Sequence, residues 1–365
     1  MKNKLMTTAL VTSMLSIGVT SAVAQTTITG NIDMSYFGTS AKGSAATAAI
    51  KSTSTIRGFG KEAQVNFANK GKMTNGMDYA AGFSIELDGP DTGGTAVFAE
   101  NTYIDLISGN TLVTLGADHI QSPDRNIANL VGFGYLGLDG INNKISSYPK
   151  AINSPYSSFG AGIVQTIPGL GKVSALYVPD RVDASAQNDV LNGVATSRSD
   201  QGESQHEFGF KGDLGVKGLD VGAFYNKGKK QETGVTTIND RKGVKFDGSY
   251  NFGQFTVAAD YSKMEGIEQN SGTTGAMDAG NDEVKGKSIG LAYAINKELS
   301  VGYAYAKTST NQTGGSFPDE KVNLVAIGYN LGPVVAQLQY KNVDNHANTT
   351  NLDGEQIAVK LGTKF

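Results

Sequence analysis

After residue 25, most of the chain alternates between apolar and polar residues, one position at a time. Residues 78–87 form one such segment, whose apolar positions are Tyr79, Ala81, Phe83, Ile85 and Leu87. Residues 244–252 form another, whose apolar positions are Val244, Phe246, Tyr250 and Phe252. Because successive side chains of a β-strand point to opposite faces, a period of two predicts strands with one apolar and one polar face.

Two folds suit such strands. A soluble sandwich turns its apolar faces inward, whereas a membrane barrel turns them outward to lipid. Three features favour the barrel. The strands approach the ~9–11 residues needed to cross a bilayer. Tyr recurs near the strand ends on the apolar face, as an interfacial girdle requires. The connections also alternate between short and long.

The connections predict the topology. Short turns, most of them with Gly or Asn that tolerate positive φ, centre on 74–76, 108–110, 168–171, 214–218, 251–253, 295–297 and 330–333. Long loops run over 38–54, 88–97, 118–157, 179–204, 228–241, 265–286, 308–320 and 343–354. We therefore predict an all-β fold, a transmembrane antiparallel barrel of about 16 strands with short periplasmic turns and long extracellular loops. A barrel of this size is too wide for side chains to fill and leaves an aqueous lumen.

The first 24 residues have the features of a secretion signal. Lys2 and Lys4 precede an apolar run, and Ala22-Val23-Ala24 supplies a cleavage pattern of small residues. We expect cleavage after residue 24 and a barrel domain over residues 25–365. A retained N-terminal hydrophobic helix is the alternative.

Composition narrows the function classes. The chain has no cysteine, which excludes thiolate zinc sites and a cysteine nucleophile. Its formal net charge of −3 argues against nucleic acid as a partner. Hydrophobic residues make up 39% and the mean hydropathy is −0.23, values that a soluble protein and a membrane barrel share. No segment after residue 24 has the ~18 consecutive apolar residues of a transmembrane helix.

The last eleven residues, 355–365, form a final alternating segment. Ile357, Val359, Leu361 and Phe365 share one face, and Gln356, Lys360 and Lys364 share the other. A terminal aromatic residue on such a strand is typical of the signal that the outer-membrane assembly machinery recognises. We therefore assign Phe365 as an assembly signal.

Several segments resemble the general bacterial porins, in particular the proteobacterial trimeric diffusion porins: residues 76–87, 101–106, 111–116, 289–297 and 360–365. The resemblance implies a homotrimer in the cell outer membrane, in contact with lipid and lipopolysaccharide, with one water-filled pore per subunit for small hydrophilic solutes and ions. It also implies that the loop after the fifth strand, here 118–157, folds into the lumen and narrows it. A plugged barrel with an adhesion or structural role is the alternative, and a secreted soluble β-protein is a third possibility.

Opposed charges across a narrow aperture bias which ions pass. The constriction candidates on the loop are Asp118, Asp124, Arg125, Asp139 and Lys144. The wall candidates, chosen by strand parity or rough position, are Arg57, Glu86, Lys211, Lys245 and Lys360. Ordinary solvated charges are the alternative. The family commonly places Arg-Gln after Thr-Leu-Gly of strand five, but here Ala117-Asp118-His119 follows Gly116. The family's usual constriction polarity therefore does not transfer to this chain.

Neither catalysis nor metal binding is predicted. His119, His206 and His346 are far apart and show no metal spacing, and no motif pairs a Ser with one of them as in a membrane phospholipase. The acidic loop 265–286 carries oxygen ligands that suit calcium, but its spacing matches no calcium loop. We expect no enzyme activity, no cofactor and no bound metal.

Overall fold

The structure is a computed structural model that describes residues 25–42, 54–90, 96–117, 130–131, 159–178, 203–230, 241–265, 283–312, 315–345 and 353–365. The described residues contain one antiparallel sheet. Its strands are β1 (Gln25–Lys42), β2 (Ser54–Lys72), β3 (Asp78–Pro90), β4 (Ala96–Ser108), β5 (Thr111–Ala117), β6 (Phe159–Ile167), β7 (Gly171–Val178), β8 (Glu203–Gly212), β9 (Leu219–Lys230), β10 (Arg241–Phe252), β11 (Phe255–Glu265), β12 (Glu283–Ala294), β13 (Leu299–Gln312), β14 (Gly315–Ser316), β15 (Glu320–Asn330), β16 (Val334–Asp344) and β17 (Asp353–Lys364).

The sheet closes on itself. Each strand pairs with its neighbours in the chain, and β1 pairs with both β2 and β17. The two-residue β14 only extends the end of β13. Within the described residues, the other sixteen strands form the wall of a barrel, which confirms the predicted fold. At the closing seam, Gly30 and Phe365 exchange two backbone hydrogen bonds of 2.9 and 3.0 Å.

The structure places the short turns at the predicted positions, but several strands are longer than expected. Gly76, Gly109, Gly253 and Gly332 have the positive φ of tight turns. The first loop was predicted to begin at residue 38, whereas β1 continues to Lys42. The prediction was wrong here because apolar alternation stops where the wall leaves lipid, while the backbone ladder continues into water.

Side-chain exposure shows which face looks outward. Phe246 is 55% exposed on the barrel surface, and its neighbour Lys245 is only 4% exposed on the inner face. Ile289 and Ser288 show the same contrast on β12. A sandwich would bury the apolar face, so this arrangement is that of a barrel with an apolar exterior. Within the described residues, no helix is both long and apolar enough to cross a membrane.

Aromatic rings cluster at the short-turn end of the exterior. Around the turn between β10 and β11, ring centroids lie 5.9 Å apart for Tyr250 and Phe252, and 5.7 Å apart for Phe252 and Phe255. Tyr293 of β12 continues the row, 4.7 Å from Phe255. Aromatic rings at this height, among them the amphipathic rings of Tyr250 and Tyr293, suit the interface between lipid and water.

The closing seam leaves no room for a side chain at Gly30. A Cβ there would collide with the carbonyl oxygen of Gln64 and lie 2.5 Å from the ring of Phe365. We expect Gly30→Val to destabilise the barrel by about 1–3 kcal/mol through overpacking. The readout is the temperature at which the SDS-resistant band is lost on electrophoresis.

Gly38→Val is the matched control. It lies on the same face of β1, and its Cβ would meet only Arg57 Cγ, at 4.0 Å. Equal melting temperatures for the two variants would contradict a tightly packed seam.

Candidate functional site

Four of the five predicted wall residues lie on the inner face of the barrel: Glu86, Lys211, Lys245 and Lys360. Glu86 pairs in register with Gln64 of β2, and both belong to the inward set of their strands. Glu86 and Lys245 are buried, at 8% and 4% exposure. The structure therefore places these side chains in the lumen, and their role in permeation stays a prediction.

Arg57 was also predicted to line the wall, and the structure corrects this placement. It pairs with Gly38 and shares a face with Phe59, whose ring packs 5.1 Å from that of Tyr36 on the barrel exterior. Alternation is blurred at the start of β2, because two glycines occupy the inward positions while Arg57 and Lys61 take outward ones. Parity alone could not assign Arg57 to the correct face.

The five charged loop candidates, Asp118, Asp124, Arg125, Asp139 and Lys144, lie outside the described residues, as do His119 and His346. Their proposed roles stay predictions. His206 is described and lies on the outer face of β8, with its ring 4.8 Å from that of Tyr177.

One part of the long loop lies inside the barrel. Val131 is 3% exposed and packs in a cluster of buried residues from β11 to β16, and Leu130 packs against the same cluster. The wall residues of this apolar bed are Ala258, Ala292, Ala304, Ala306, Val322, Leu324, Ala326 and Val343. All of them belong to the inward set of their strands. The expected folding of the loop into the lumen is thus seen for residues 130–131.

The sequence contains a signal for this bed that alternation between apolar and polar residues does not by itself reveal. The inward positions of β12, β13 and β15 are mostly Gly, Ala, Val and Leu. A wall that faced water along its whole length would be expected to carry polar or charged side chains at these positions. Uncharged inward positions on consecutive strands therefore mark where another segment docks.

At the closing seam, charged groups on the inner wall form ion pairs and hydrogen bonds. Lys360 Nζ lies 2.7 Å from Asp33 Oδ2. Asn31 donates 3.5 Å hydrogen bonds to Asp33 and to Glu62, which stands directly opposite Asp33. Like charges in opposed positions repel, and these contacts offset that repulsion.

A second group lies on β10–β12. Ser288 donates a hydrogen bond to Asp260, and Lys245 is close enough to Asp260 to interact with it electrostatically. Asp247 stands directly opposite Asp260. No set of three or more His, Asp or Glu within the described residues is arranged to hold a metal ion.

A comparison with known protein families decides what this barrel is. A family-wide sequence profile described as Gram-negative porin matches residues 7–348. The chain belongs to the Gram-negative porin family. This porin is therefore an outer-membrane channel, and membership of the family indicates a protein that acts without catalysis.

Solved structures agree on the fold of the porin. An anion-selective porin from Comamonas acidovorans matches with a TM-score of 0.65 and 13% identity, over 94% of this chain and 100% of that one. Salmonella typhi OmpF, in complex with daunomycin, matches with a TM-score of 0.63 and 11% identity, over 93% and 97%. A trimer form of Vibrio cholerae OmpT matches with a TM-score of 0.55 and 12% identity, over 94% and 99%. No curated protein sequence matches the chain.

Because residues 130–131 pack on an apolar bed, a charged substitution there should release the loop from the wall. We expect Val131→Asp to undock residues 130–131, because burying a carboxylate among alanines and valines costs several kcal/mol. A displaced loop widens the aperture of this porin, so single-channel conductance should rise. The measurement is the step size in planar bilayers.

Val131→Ala serves as the control, since it keeps the bed apolar. Its step size should stay close to that of the wild type. Identical steps for Val131→Asp and wild type would show that residues 130–131 do not limit the aperture.

Proposed function

We propose that this porin mediates passive diffusion of small hydrophilic solutes and ions through a water-filled pore in each subunit of a homotrimer. The observation that carries the proposal is the inner face: charged and polar side chains line a closed wall that holds an apolar loop segment on one side. Polar lining keeps a lumen wet, and a docked segment narrows it without needing energy input. No catalytic activity and no cofactor are needed for this function.

The trimer is supported by the asymmetry of the exterior. A trimer form is described for the similar OmpT. Outward residues of β1, β3, β4 and β5 are mainly apolar, with exposed side chains that include Ile28, Ile32, Met34, Phe83, Ile104, Val113 and Leu115. On β2, within this arc, Arg57 and Lys61 are outward charges, whereas β9–β13 and β15 each carry an outward lysine. One arc therefore suits a second copy of the chain, and the other suits lipid.

A row of outward lysines supports lipopolysaccharide as a partner. Lys287, Lys307 and Lys321 stand directly opposite one another on β12, β13 and β15, at the extracellular end of the outer face. Opposed like charges destabilise a sheet, but they bind phosphate groups well. Lys307 is 2.6 Å from Asp319, and hydrogen bonds from Lys307 and Ser309 lower the pKa of that carboxyl. Asp344 of β16 stands directly opposite Lys321, so two acids face three lysines, and the remaining positive charge favours anionic headgroups nearby.

Two further proposed partners act during export of the protein and its assembly into the outer membrane. We propose that signal peptidase removes residues 1–24, because Ala22-Val23-Ala24 supplies its pattern of small residues. We also propose that the assembly machinery reads the last strand, whose terminal Phe365 is 61% exposed on the exterior.

The function is tested with folded protein in planar bilayers. We expect stepwise, ohmic conductance in groups of three, because three water-filled pores insert together. Heat-unfolded protein at the same concentration is the control.

Conductance that never appears from SDS-resistant protein would reject the channel. Liposomes that exclude small sugars despite inserted protein would favour the plugged barrel.

Lipopolysaccharide binding is tested by a triple variant, Lys287→Gln, Lys307→Gln and Lys321→Gln. We expect less lipopolysaccharide to remain with the purified protein, because the opposed positive charges are gone. The assay is lipopolysaccharide per mole of protein after detergent washing.

The control triple variant changes Lys70, Lys172 and Lys364 to Gln, all on the inner face near the periplasmic end. If both triple variants retain as much lipopolysaccharide as the wild type, the lysine row is not its site.

A further inference from the structure

The register of the closing seam is not fixed by any turn. A turn sets the register of the two strands that it joins, but β1 and β17 are connected only through the rest of the barrel. A slip of one residue would turn every side chain of a strand to the wrong face. A slip of two residues keeps both the faces and the type of backbone ladder, so side chains must exclude it.

On the outer face of the seam, a glycine lies beneath an aromatic ring. Gly30 and Phe365 stand directly opposite each other and exchange two backbone hydrogen bonds, of 2.9 and 3.0 Å. The ring of Phe365 lies where a side chain at Gly30 would be, and we call Gly30 the outer niche. A slip of two residues would set Phe365 opposite Ile28 or Ile32, whose branched side chains fill that space.

On the inner face of the seam, a second glycine lies beneath a carboxylate. Gly362 stands directly opposite Asp33, and Asp33 Oδ1 lies where a Cβ at Gly362 would be. The carboxylate is held in that place, because its Oδ2 lies 2.7 Å from Lys360 Nζ. Asn31 also donates a 3.5 Å hydrogen bond to Oδ2. We call Gly362 the inner niche.

The ion pair by itself does not select the register. A slip of two residues would set Asp33 opposite either Lys360 or Lys364, so the carboxylate would still have a basic partner within reach. Either lysine, however, would place its own Cβ where the carboxylate now lies. Placing a side chain in a space that is already filled typically shifts an equilibrium by about tenfold. The two glycines therefore discriminate between registers, while the charges hold the carboxylate in its niche.

We infer that the outer and inner niches set the register in which β1 and β17 close, and thereby fix the width of the pore. Strand number, stagger and tilt together determine the diameter of a barrel. A seam that slips by two residues changes the stagger of the whole barrel, because the sheet is closed. The consequence for permeation rests on the proposed diffusion function, whereas the register itself does not.

The register is measured with engineered cysteine pairs, because the chain has no cysteine of its own. Thr39 lies opposite Gln356 on the inner face, so Thr39→Cys with Gln356→Cys should form a disulfide in the register of the structure, the native register. A slip of two residues would set Thr39 opposite Gly354 or Ala358, and cysteine at either position reports a slipped register. The displacement of ~7 Å along the strand exceeds the reach of a disulfide, so the wild-type seam should crosslink only the native pair.

Removing the groups that fill the niches should let the seam slip. We expect Asp33→Ala with Phe365→Ala to raise the ratio of slipped to native crosslinking by about tenfold or more, since a slip then causes no clash. Each single variant should raise the ratio by a smaller factor, and the single variants decide the outcome if the double variant yields no SDS-resistant protein. A second conductance step in planar bilayers should accompany the slipped pairs.

Asp78→Ala with Phe255→Ala is the matched control. It removes an acid that lies 2.6 Å from Lys72 and an exposed aromatic ring, both away from the seam. Its crosslinking should match that of the wild-type seam. All variants are folded in detergent and checked for SDS resistance, so that neither unfolded protein nor loss of the proposed assembly signal enters the comparison.

A double variant that crosslinks only the native pair would overturn the inference, as would slipped crosslinks in the wild-type seam. Slipped crosslinks with a single, unchanged conductance step would overturn the link between register and pore width. A wild-type protein that closes in the native register but never conducts would instead overturn the proposed diffusion function.

Discussion

The hydrogen bonding of the backbone at the seam between β1 and β17 is the constraint on which this structure depends. Lipid offers no partner to an unpaired N–H or C=O, so a sheet in a membrane must have no edge. Here the first and last strands pair over twelve positions, from Asn31 with Lys364 to Lys42 with Asp353. The absence of a side chain at Gly30 lets the chain end with Phe365 packed over it. The barrel thus completes its ladder by pairing its first strand with its last, without any disulfide.

Because the sheet closes, each alternating strand has one face towards lipid or a neighbouring subunit and one face towards the aqueous lumen. Outward residues such as Phe246 and Ile289 stay exposed because acyl chains or neighbouring subunits take the place of a protein core. Inward residues such as Lys245 are buried by the barrel itself, and charges there are held near opposite charges. The usual rule that charged residues lie outside is reversed because the surrounding medium is apolar.

The inner wall is not uniform in the residue types that it presents to the lumen. From β11 to β16 the inward residues are largely small and apolar, and they hold Leu130 and Val131. From β1 to β4 the inward residues include four carboxylates. One side of the lumen therefore holds the loop, and another side carries charged groups. Both roles use the same period of two, with different residue types at the inward positions.

The sequence alone was sufficient for the fold class, the strand count and the face of most side chains, because period-two alternation and glycine-rich turns are local properties. It also placed Glu86, Lys211, Lys245 and Lys360 on the inner face. It assigned Arg57 to the wrong face, since glycines at the start of β2 remove the polarity contrast that reveals parity. Only the tertiary structure showed where residues 130–131 dock and which carboxylates stand side by side. These relations join strands far apart in the chain, and cross-strand register and the path of a loop depend on barrel closure, which no local pattern records.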